Sequence, residues 1–522
     1  MNRQQMLQQA IERSTPWDMI VIGGGATGVG VAIDAAARGF SVLLLEAQDF
    51  GKGTSSRSTK LIHGGVRYLE QGNVSLVMEA LKERGLLRQN APHLVHDLAF
   101  IVPNYSWWEA PFYGIGMKIY DLLAGKYGFG RSRILSSEET IEKLPNLQTE
   151  GLRGGVIYYD GQFDDTRLLI HMAATAADHG ATVLNYAPVT EITKDEEGFA
   201  NGVVFRDEET GREHHALARV VINATGMFAD KVRRMSDPEA RRLIAPSQGI
   251  HLVFEKSFLR ADAAIMVPHT SDGRVLFAIP WHDHTVVGTT DTPIEEASYD
   301  PLPFEEEIAF ILDTAARFLS RPPERKDILS VYVGIRPLVK PAESSAGKTS
   351  ALSRDHTIDI DSSGLITIVG GKWTTYRHMA EDCVDHAITI GKLDEISCNT
   401  RNLRLHGYHE HSEDFGRLWM YGSDALAIRE LAAGNPKLLQ PIHPDLTYSE
   451  AEIIWAARRE MARTVEDVLS RRTRALFLNA KAAIDLAPKV ASILARELNH
   501  DEHWITEQLQ SFNALAQGYL VT

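Results

Sequence analysis

VIGGGATGVG, residues 21–30, follows the apolar run WDMI and leads into VAIDAAARG, a segment of small residues. Gly23, Gly25 and Gly28 stand in the spacing G-x-G-x-x-G where a strand gives way to a helix. The first glycine permits the tight turn, the second lets backbone approach a pyrophosphate, and the third packs helix on strand. The helix N-terminus then offers unpaired N–H groups and the positive end of its dipole to phosphates. Alone, the triplet marks any tight strand–helix turn. Here the next strand, SVLLLE, ends on Glu46, eighteen residues beyond Gly28, where an acid can hold ribose hydroxyls. The unit therefore reads as dinucleotide-binding. Its place near the N-terminus and the later glycine turns favour FAD over NAD. A second such triplet for a nicotinamide is missing, which points to a flavoprotein reduced by its own substrate.

Outward from this unit, helical patterns dominate residues 74–145, and strands return in ATVLNYAPVTEIT, GVVFRD and ARVVINATG. A β-rich middle follows, with HLVFE, RVLFAIPW, HTVVGTTD and LSVYVGIRPL. HTIDIDSSGLITIVGG reads as a hairpin running into a glycine turn and a helix. Beyond about residue 400 the chain becomes helical. SEAEIIWAARREMARTVEDVLSRR carries a capping box, Ser449 with Glu452, and an apolar stripe at Ile454, Ala457, Met461, Val465 and Val468. Pro488 is expected to break or kink the next helix. The fold class is α/β plus α: a Rossmann-like nucleotide-binding domain from residues 17–100, 150–245 and 345–395, a β-rich substrate or cap domain from 101–149 and 246–344, and a helical C-terminal domain over 400–522.

The chain has 522 residues, enough for two or three domains with sizeable cores. Its net charge of −15 speaks against a general nucleic-acid binder, which needs a broad basic face. Any anionic substrate must then be drawn in by a local basic cluster. Two cysteines cannot build a disulfide framework and suggest a reducing compartment. The leader MNRQQMLQQAIERSTPWD lacks the apolar centre of a signal peptide, and no apolar run is long enough to span a bilayer. The expected location is cytoplasmic.

FGKGTSSRSTKLIHGGVRYLE, GIRPL, SRDHTIDI and GGKWTTYR closely resemble the FAD-dependent glycerol-3-phosphate dehydrogenases. VVINATG, PWHDHTVVGTTD and EIIWAARREMARTVEDVLSRRTRALF extend the resemblance from about residue 17 to about residue 485. One departure is NATGMFAD, where the family more often has a tryptophan near Phe228; an aromatic is kept, so only local repacking is expected. Calcium-sensing members carry EF-hands, but DIDSSG has Gly370, not a bidentate Glu, at the twelfth position from Asp359. The resemblance implies the fold of the glycine and D-amino-acid oxidase superfamily. It implies oxidation of sn-glycerol 3-phosphate at C2 to dihydroxyacetone phosphate, with hydride passing to FAD and electrons to a membrane quinone.

Oxidising a secondary alcohol needs a hydride acceptor, a base and a clamp that fixes the carbon. His251, in SQGIHLVFE, is the candidate base, with Arg336 beside it as a catalytic candidate. Arg67, Tyr68, Arg354 and Lys372, with Arg336, are the candidate clamp, since a guanidinium fork suits phosphate. Which of them holds phosphate stays open. Cofactor contacts are expected from Gly23, Gly25, Gly28, Glu46, Thr54, Ser55, Ser58, Val189, Gly226, Gly370, Gly371, Thr374 and Thr375. HGYHEH and WHDH have metal-capable residues without third and fourth ligands at a recognisable spacing, so no metal is expected.

WWEAPFYGIGMKIYDLL offers Trp107, Trp108, Phe112, Tyr113 and Ile115, near Lys118, Lys126, Arg131 and Arg133. That combination suits either interfacial docking on the inner face of the cell membrane or a core helix. Expected partners are the substrate and product, a quinone and that membrane surface; nucleic acid is not among them, and a homodimer is compatible with the sequence. Rival readings are a glycerophosphate oxidase using oxygen, an amine or amino-acid oxidase on the same fold, and a flavin-binding redox protein without turnover. The many basic motif positions favour a dianion over the single carboxylate of an amino acid.

Overall fold

A computed structural model describes the chain except residues 67, 68, 70–72, 271–272, 341–354 and 522. Its first sheet places Trp17–Ile22 at the centre, parallel to Val42–Leu45 on one side and Arg212–Asn223 on the other. Ile20 pairs with both Val221 and Leu43. These strands are apolar on both faces because both are covered: helices lie on one, and strands Val189–Lys194 and Ala200–Asp207 with helices Arg3–Glu12 and Ala229–Ser236 lie on the other. Ala26–Ala37 lies against the sheet with Asp165–Asp178 and Tyr376–Gly391 as neighbours. Gly30 makes that packing close, since a Cβ there would stand 2.8 Å from the Tyr376 ring. The hairpin His356–Ile360 and Ile366–Gly370 completes one edge, and DIDSSG forms its turn.

Among the described residues the second sheet has ten strands. Its working region is the antiparallel set Ser330–Val339, Ile244–Glu255, His284–Gly288 and Leu276–Trp281. One face packs on helix Glu305–Phe318, the other on the C-terminal helices. Val95–Asn104 and Gly154–Phe163 also belong to this sheet, together with Leu61–Ile62. The sequence division puts most of these residues with the nucleotide-binding segments, and residues 74–145 read mainly as helix. The ladder between 95–104 and 154–163 is set by pairing across about fifty residues, which local patterning does not display.

Two further expectations concern the C-terminal helices. The helix read over 449–472 stops at Arg459: Met461 takes a positive φ of 55°, and the Asp467 carboxylate accepts the N–H groups of Arg463 and Thr464 to start a new turn. The capping box at Ser449 and Glu452 is present, and the stripe residues are buried all the same. Pro488 does not end its helix, which runs from Ala480 to Leu498. Pro488 itself is exposed. No helix among the described residues is long and apolar enough to cross a membrane.

Candidate functional site

The glycine turn opens on a pocket lined by Gly23, Gly25, Glu46, Thr54, Ser55, Val189, Gly226, Gly370, Gly371 and Lys372. Gly23 has φ +113°, a conformation glycine adopts without strain. Helix Ala26–Ala37 begins at Gly25 with no side-chain cap, which leaves its terminal dipole for a ligand. Ser55 Oγ accepts the N–H of Ala26 at 3.0 Å. Glu46 accepts the N–H of Gly24 at 2.5 Å and that of Gln48 at 2.8 Å, which fixes its carboxylate at the pocket wall. Burial raises the pKa of this carboxyl above its ordinary value. Trp373 donates its indole N–H to the Ser55 carbonyl at 2.9 Å, and Phe228 packs on Tyr299 with ring centroids 4.4 Å apart. A helix end whose N-cap is a glycine, a fixed acid and a wall of glycines and aromatics fit an adenine dinucleotide.

Not every expected contact lies on that wall. Gly28 sits behind the turn, where a Cβ would run into the Gly23 carbonyl. Ser58 donates to Asp165 at 2.7 Å, and Thr374 and Thr375 donate to the carbonyls of His63 and Lys372. Their hydroxyls hold the frame instead of facing the pocket. Arg67, Tyr68 and Arg354 lie outside the described residues.

His251 and Arg336 come together through strand register. His251 pairs with Tyr332, Gly249 with Gly334 and Ser247 with Arg336. Opposed residues share a face and alternate residues return to it, so all six project from one side. The central pair of glycines lets neighbouring groups close onto the sheet. An added Cβ at Gly249 would stand 2.6 Å from the Arg336 guanidinium, and one at Gly334 would stand 2.7 Å from the Arg57 carbonyl. Arg336 donates to Asp291 and to Thr289 Oγ1, each at 3.3 Å.

Residues 54–60 lie flat on this face. Thr54 donates to the Ile335 carbonyl at 2.5 Å, Arg57 to Val333 at 3.2 Å, and Tyr332 to the Ser58 carbonyl at 3.2 Å. One segment therefore lines the cofactor pocket with Thr54 and Ser55 and covers the sheet face with its remainder. His251 stacks on Tyr332 at 4.7 Å and bonds through Nε2 to Thr59 Oγ1 at 2.9 Å. Burial first, then the charges of Lys60 and Arg336, hold its pKa well below the ordinary value.

Sequence reasoning missed Thr59, Lys60, Asp291, Lys52 and Tyr299. Thr59 and Lys60 stand inside the motif FGKGTSSRSTKLIHGG, but nothing in a motif says which hydroxyl meets a histidine. Lys60 is fully buried, paired with Asp165 at 2.8 Å and within 5.3 Å of the Trp281, Tyr332 and Phe477 ring centres. Lys52 lines the cofactor pocket and pairs with Glu466 at 2.7 Å. The metal-capable motifs are occupied by carboxylate pairing: His406 meets Asp178 and Asp424, and His282 meets Asp164.

Residues 18–377 match the family model of the FAD dependent oxidoreductases, and residues 366–504 match that of the C-terminal domain of alpha-glycerophosphate oxidase. The chain belongs to the FAD dependent oxidoreductase family, and within it to the glycerol-3-phosphate dehydrogenases. It is 41% identical to the mitochondrial glycerol-3-phosphate dehydrogenase of Macaca fascicularis, over 96% of this chain and 73% of that one. The mitochondrial enzyme of Arabidopsis thaliana is 42% identical, over 96% and 86%. The glycerol-3-phosphate dehydrogenase from Bacillus halodurans, solved in complex with FAD, superimposes with a TM-score of 0.81 at 29% identity, covering 99% of this chain and 97% of that. Glycine oxidase from Geobacillus kaustophilus shares the fold, with a TM-score of 0.53 at 18% identity. The cofactor is FAD.

Proposed function

We propose that the protein oxidises sn-glycerol 3-phosphate at C2 to dihydroxyacetone phosphate, with electrons leaving to a membrane quinone. The observation that carries this reading is the shared sheet face, where His251 and Arg336 project together beside the segment that lines the cofactor pocket. The turn at Gly23, Gly25 and Gly28 and the helix behind it hold the pyrophosphate. Glu46 holds the ribose, and Thr54, Ser55, Val189, Gly226, Gly370 and Gly371 bound the rest. FAD, when bound, supplies the acceptor for the C2 hydrogen and its electron pair.

Arg336 presents a planar fork to the phosphate, oriented from behind by Asp291. Lys372, at the pocket wall, adds a second cation, and Arg67, Tyr68 and Arg354 complete the clamp by their place in the family's motifs. An acidic chain that gathers cations at one site has a bound dianion to explain them. His251 takes the hydroxyl proton.

A quinone dissolved in lipid requires contact with a bilayer, peripherally and on its cytoplasmic side. The surface for it is helix Glu109–Ala124 and its approach: Trp107 is 78% exposed and Leu122 80%, with Trp108, Phe112, Ile115 and Ile119 between them. Lys118, Lys126, Arg131 and Arg133 are exposed nearby. Tyr113 is buried and belongs to the core instead of the aromatic face. Exposed aromatics beside cations suit an anionic interface.

Anaerobic addition of glycerol 3-phosphate should bleach the bound flavin, while glycerol, which leaves the clamp unpaired, should hardly do so. Reoxidation by a quinone analogue but not by oxygen separates this reading from an oxidase. No bleaching by glycerol 3-phosphate would overturn it. Arg336→Lys keeps charge but loses the fork, and should cost on the order of 2–5 kcal/mol, a loss of tens to thousands in kcat/KM with FAD retained.

A further inference from the structure

His251 is nearly sealed. It is 2% exposed, and its Nδ1 is closed to solvent with no hydrogen-bond partner among the described residues. Tyr332 lies flat on the ring, and opposite Gly288 there is no space even for an added Cβ. Nε2 has one partner, the Thr59 hydroxyl at 2.9 Å. Thr59 is half-buried, in the segment between the sealed ring and the cofactor pocket. Its neighbours are pinned, since Ser58 Oγ and Lys60 Nζ both bond to Asp165. Among the described residues the Thr59 hydroxyl has no other partner. With the ring proton on Nδ1 the Thr59 hydroxyl donates to Nε2, which leaves its oxygen lone pairs able to accept from a second group.

We propose that Thr59 is a catalytic residue whose hydroxyl relays the substrate's alcohol proton to His251. This rests on the reading of His251 as the base. In the step, the alcohol O–H breaks and its proton goes to Thr59 Oγ1 as the proton of that hydroxyl passes to His251 Nε2. The C2–H bond breaks and its hydrogen leaves with the electron pair to FAD, so the alcohol becomes a ketone and the cofactor is reduced. The imidazolium so formed faces Lys60 from residues 54–60 and Arg336 from Ser330–Val339. Asp165 offsets Lys60, and Asp291 together with the substrate's phosphate offsets Arg336.

Thr59→Val, Thr59→Ser and His251→Gln, all with matched FAD content, test the relay by anaerobic flavin reduction with glycerol 3-phosphate. Loss of a proton-transferring group typically costs about 10²–10⁴-fold, so Thr59→Val should slow reduction by about 10²-fold or more, and Thr59→Ser should restore most of the rate. Thr59→Val combined with His251→Gln should be no slower than the worse single variant, since the two act as a unit. In mixed H2O and D2O the wild-type rate should follow a curved proton inventory, from two protons in flight, and Thr59→Val should lose the curvature. A readout apart from turnover is the ¹⁵N resonance of the His251 ring in the substrate-free protein, which should shift in Thr59→Val and not in Thr59→Ser. Near-wild-type reduction by Thr59→Val, or an unshifted His251 resonance, would overturn the relay. Near-wild-type reduction by His251→Gln would overturn the base itself.

Discussion

The glycine turn at residues 23–28 and the contact between Asp49 and residues 466–474 share one loop, residues 46–53, and are made of opposite materials. At the turn, side chains are missing so that backbone can come close. At the contact, Asp49 is fully buried and accepts from Arg471 Nε at 2.5 Å and from Arg472 at 2.7 and 2.9 Å. Arg471 also reaches Glu466 and Asp467, each at 2.7 Å, and Lys52 closes the chain of charges back to the pocket wall. Against the cost of burial, Arg472 and Arg471 hold the Asp49 carboxyl well below its usual range. A steric site fails when an atom is added. An ionic site fails when a partner is removed.

The largest effect should follow from adding atoms. Gly28→Val puts branched carbon into the Gly23 carbonyl, a backbone atom that no rotamer change can move aside. The purified variant should carry almost no FAD, read from flavin absorbance against protein. Stoichiometric FAD in that variant would mean the turn can open, and the steric half of the comparison would fail.

Next comes removal of a partner. Arg472→Met leaves Asp49 buried with one arginine fewer, and breaking such a pair costs about 3–5 kcal/mol. Urea unfolding should register the loss. Adding Asp49→Asn to Arg472→Met should recover part of it, because the uncompensated charge goes too. If the double variant is less stable than Arg472→Met alone, Asp49 contributes through its hydrogen bonds to Arg471 and Asn185 and not through charge balance.

These two regions also differ in how far the sequence reveals them. The turn is legible because its spacing is local and each glycine has a steric reason within a few residues. The 46–53 loop and the 471–472 arginines are 422 residues apart at Asp49 and Arg471, and a run such as RRTR reads as solvated charge until its partner is known. The same holds at the candidate site. His251 and Arg336 could be named, yet their shared face depends on the register of Ile244–Glu255 against Ser330–Val339. Thr59 escaped notice because only that register, with residues 54–60 laid across it, brings a hydroxyl to His251. The break at Met461 is tertiary on one side and local on the other: Glu460 is drawn to Arg167 across the chain, while Asp467 caps the new turn from within it.

A smaller effect separates the two regions by pH. Against burial, Arg471 and Lys52 hold Glu466 down at about 2, against an ordinary 4.5. A depressed carboxylate stabilises fully above its unfolded pKa, and that share is lost as pH falls through about 2. The shift amounts to a few kcal/mol at most. Glu466→Gln should therefore flatten the fall in stability between about pH 4.5 and pH 2, followed by urea midpoints, and change FAD affinity little at neutral pH. An unchanged acid profile would place the acid sensitivity elsewhere in the clamp.

The smallest effect should come from His406, which ties the nucleotide-binding half to the C-terminal helices at the surface. Its Nδ1 meets Asp178 at 2.7 Å and its Nε2 meets Asp424 at 3.0 Å. Burial opposes the charge, but the two carboxylates lift the imidazole to about 10. The sign is opposite to that of Glu466. A raised histidine contributes fully below its unfolded pKa of about 6.5, and the contribution disappears as pH rises through about 10. The side chain is 30% exposed, so solvent screens the pair and the net effect should be about 1 kcal/mol or less. His406→Gln should accordingly be slightly less stable than wild type at about pH 6, with the two converging above about pH 10. Added salt should narrow the gap at low pH, whereas the buried Asp49 contact should hardly respond. A gap that persists above that pH would show that His406 acts by packing, and a salt-sensitive Arg472→Met would erase the contrast between a surface tie and a buried clamp.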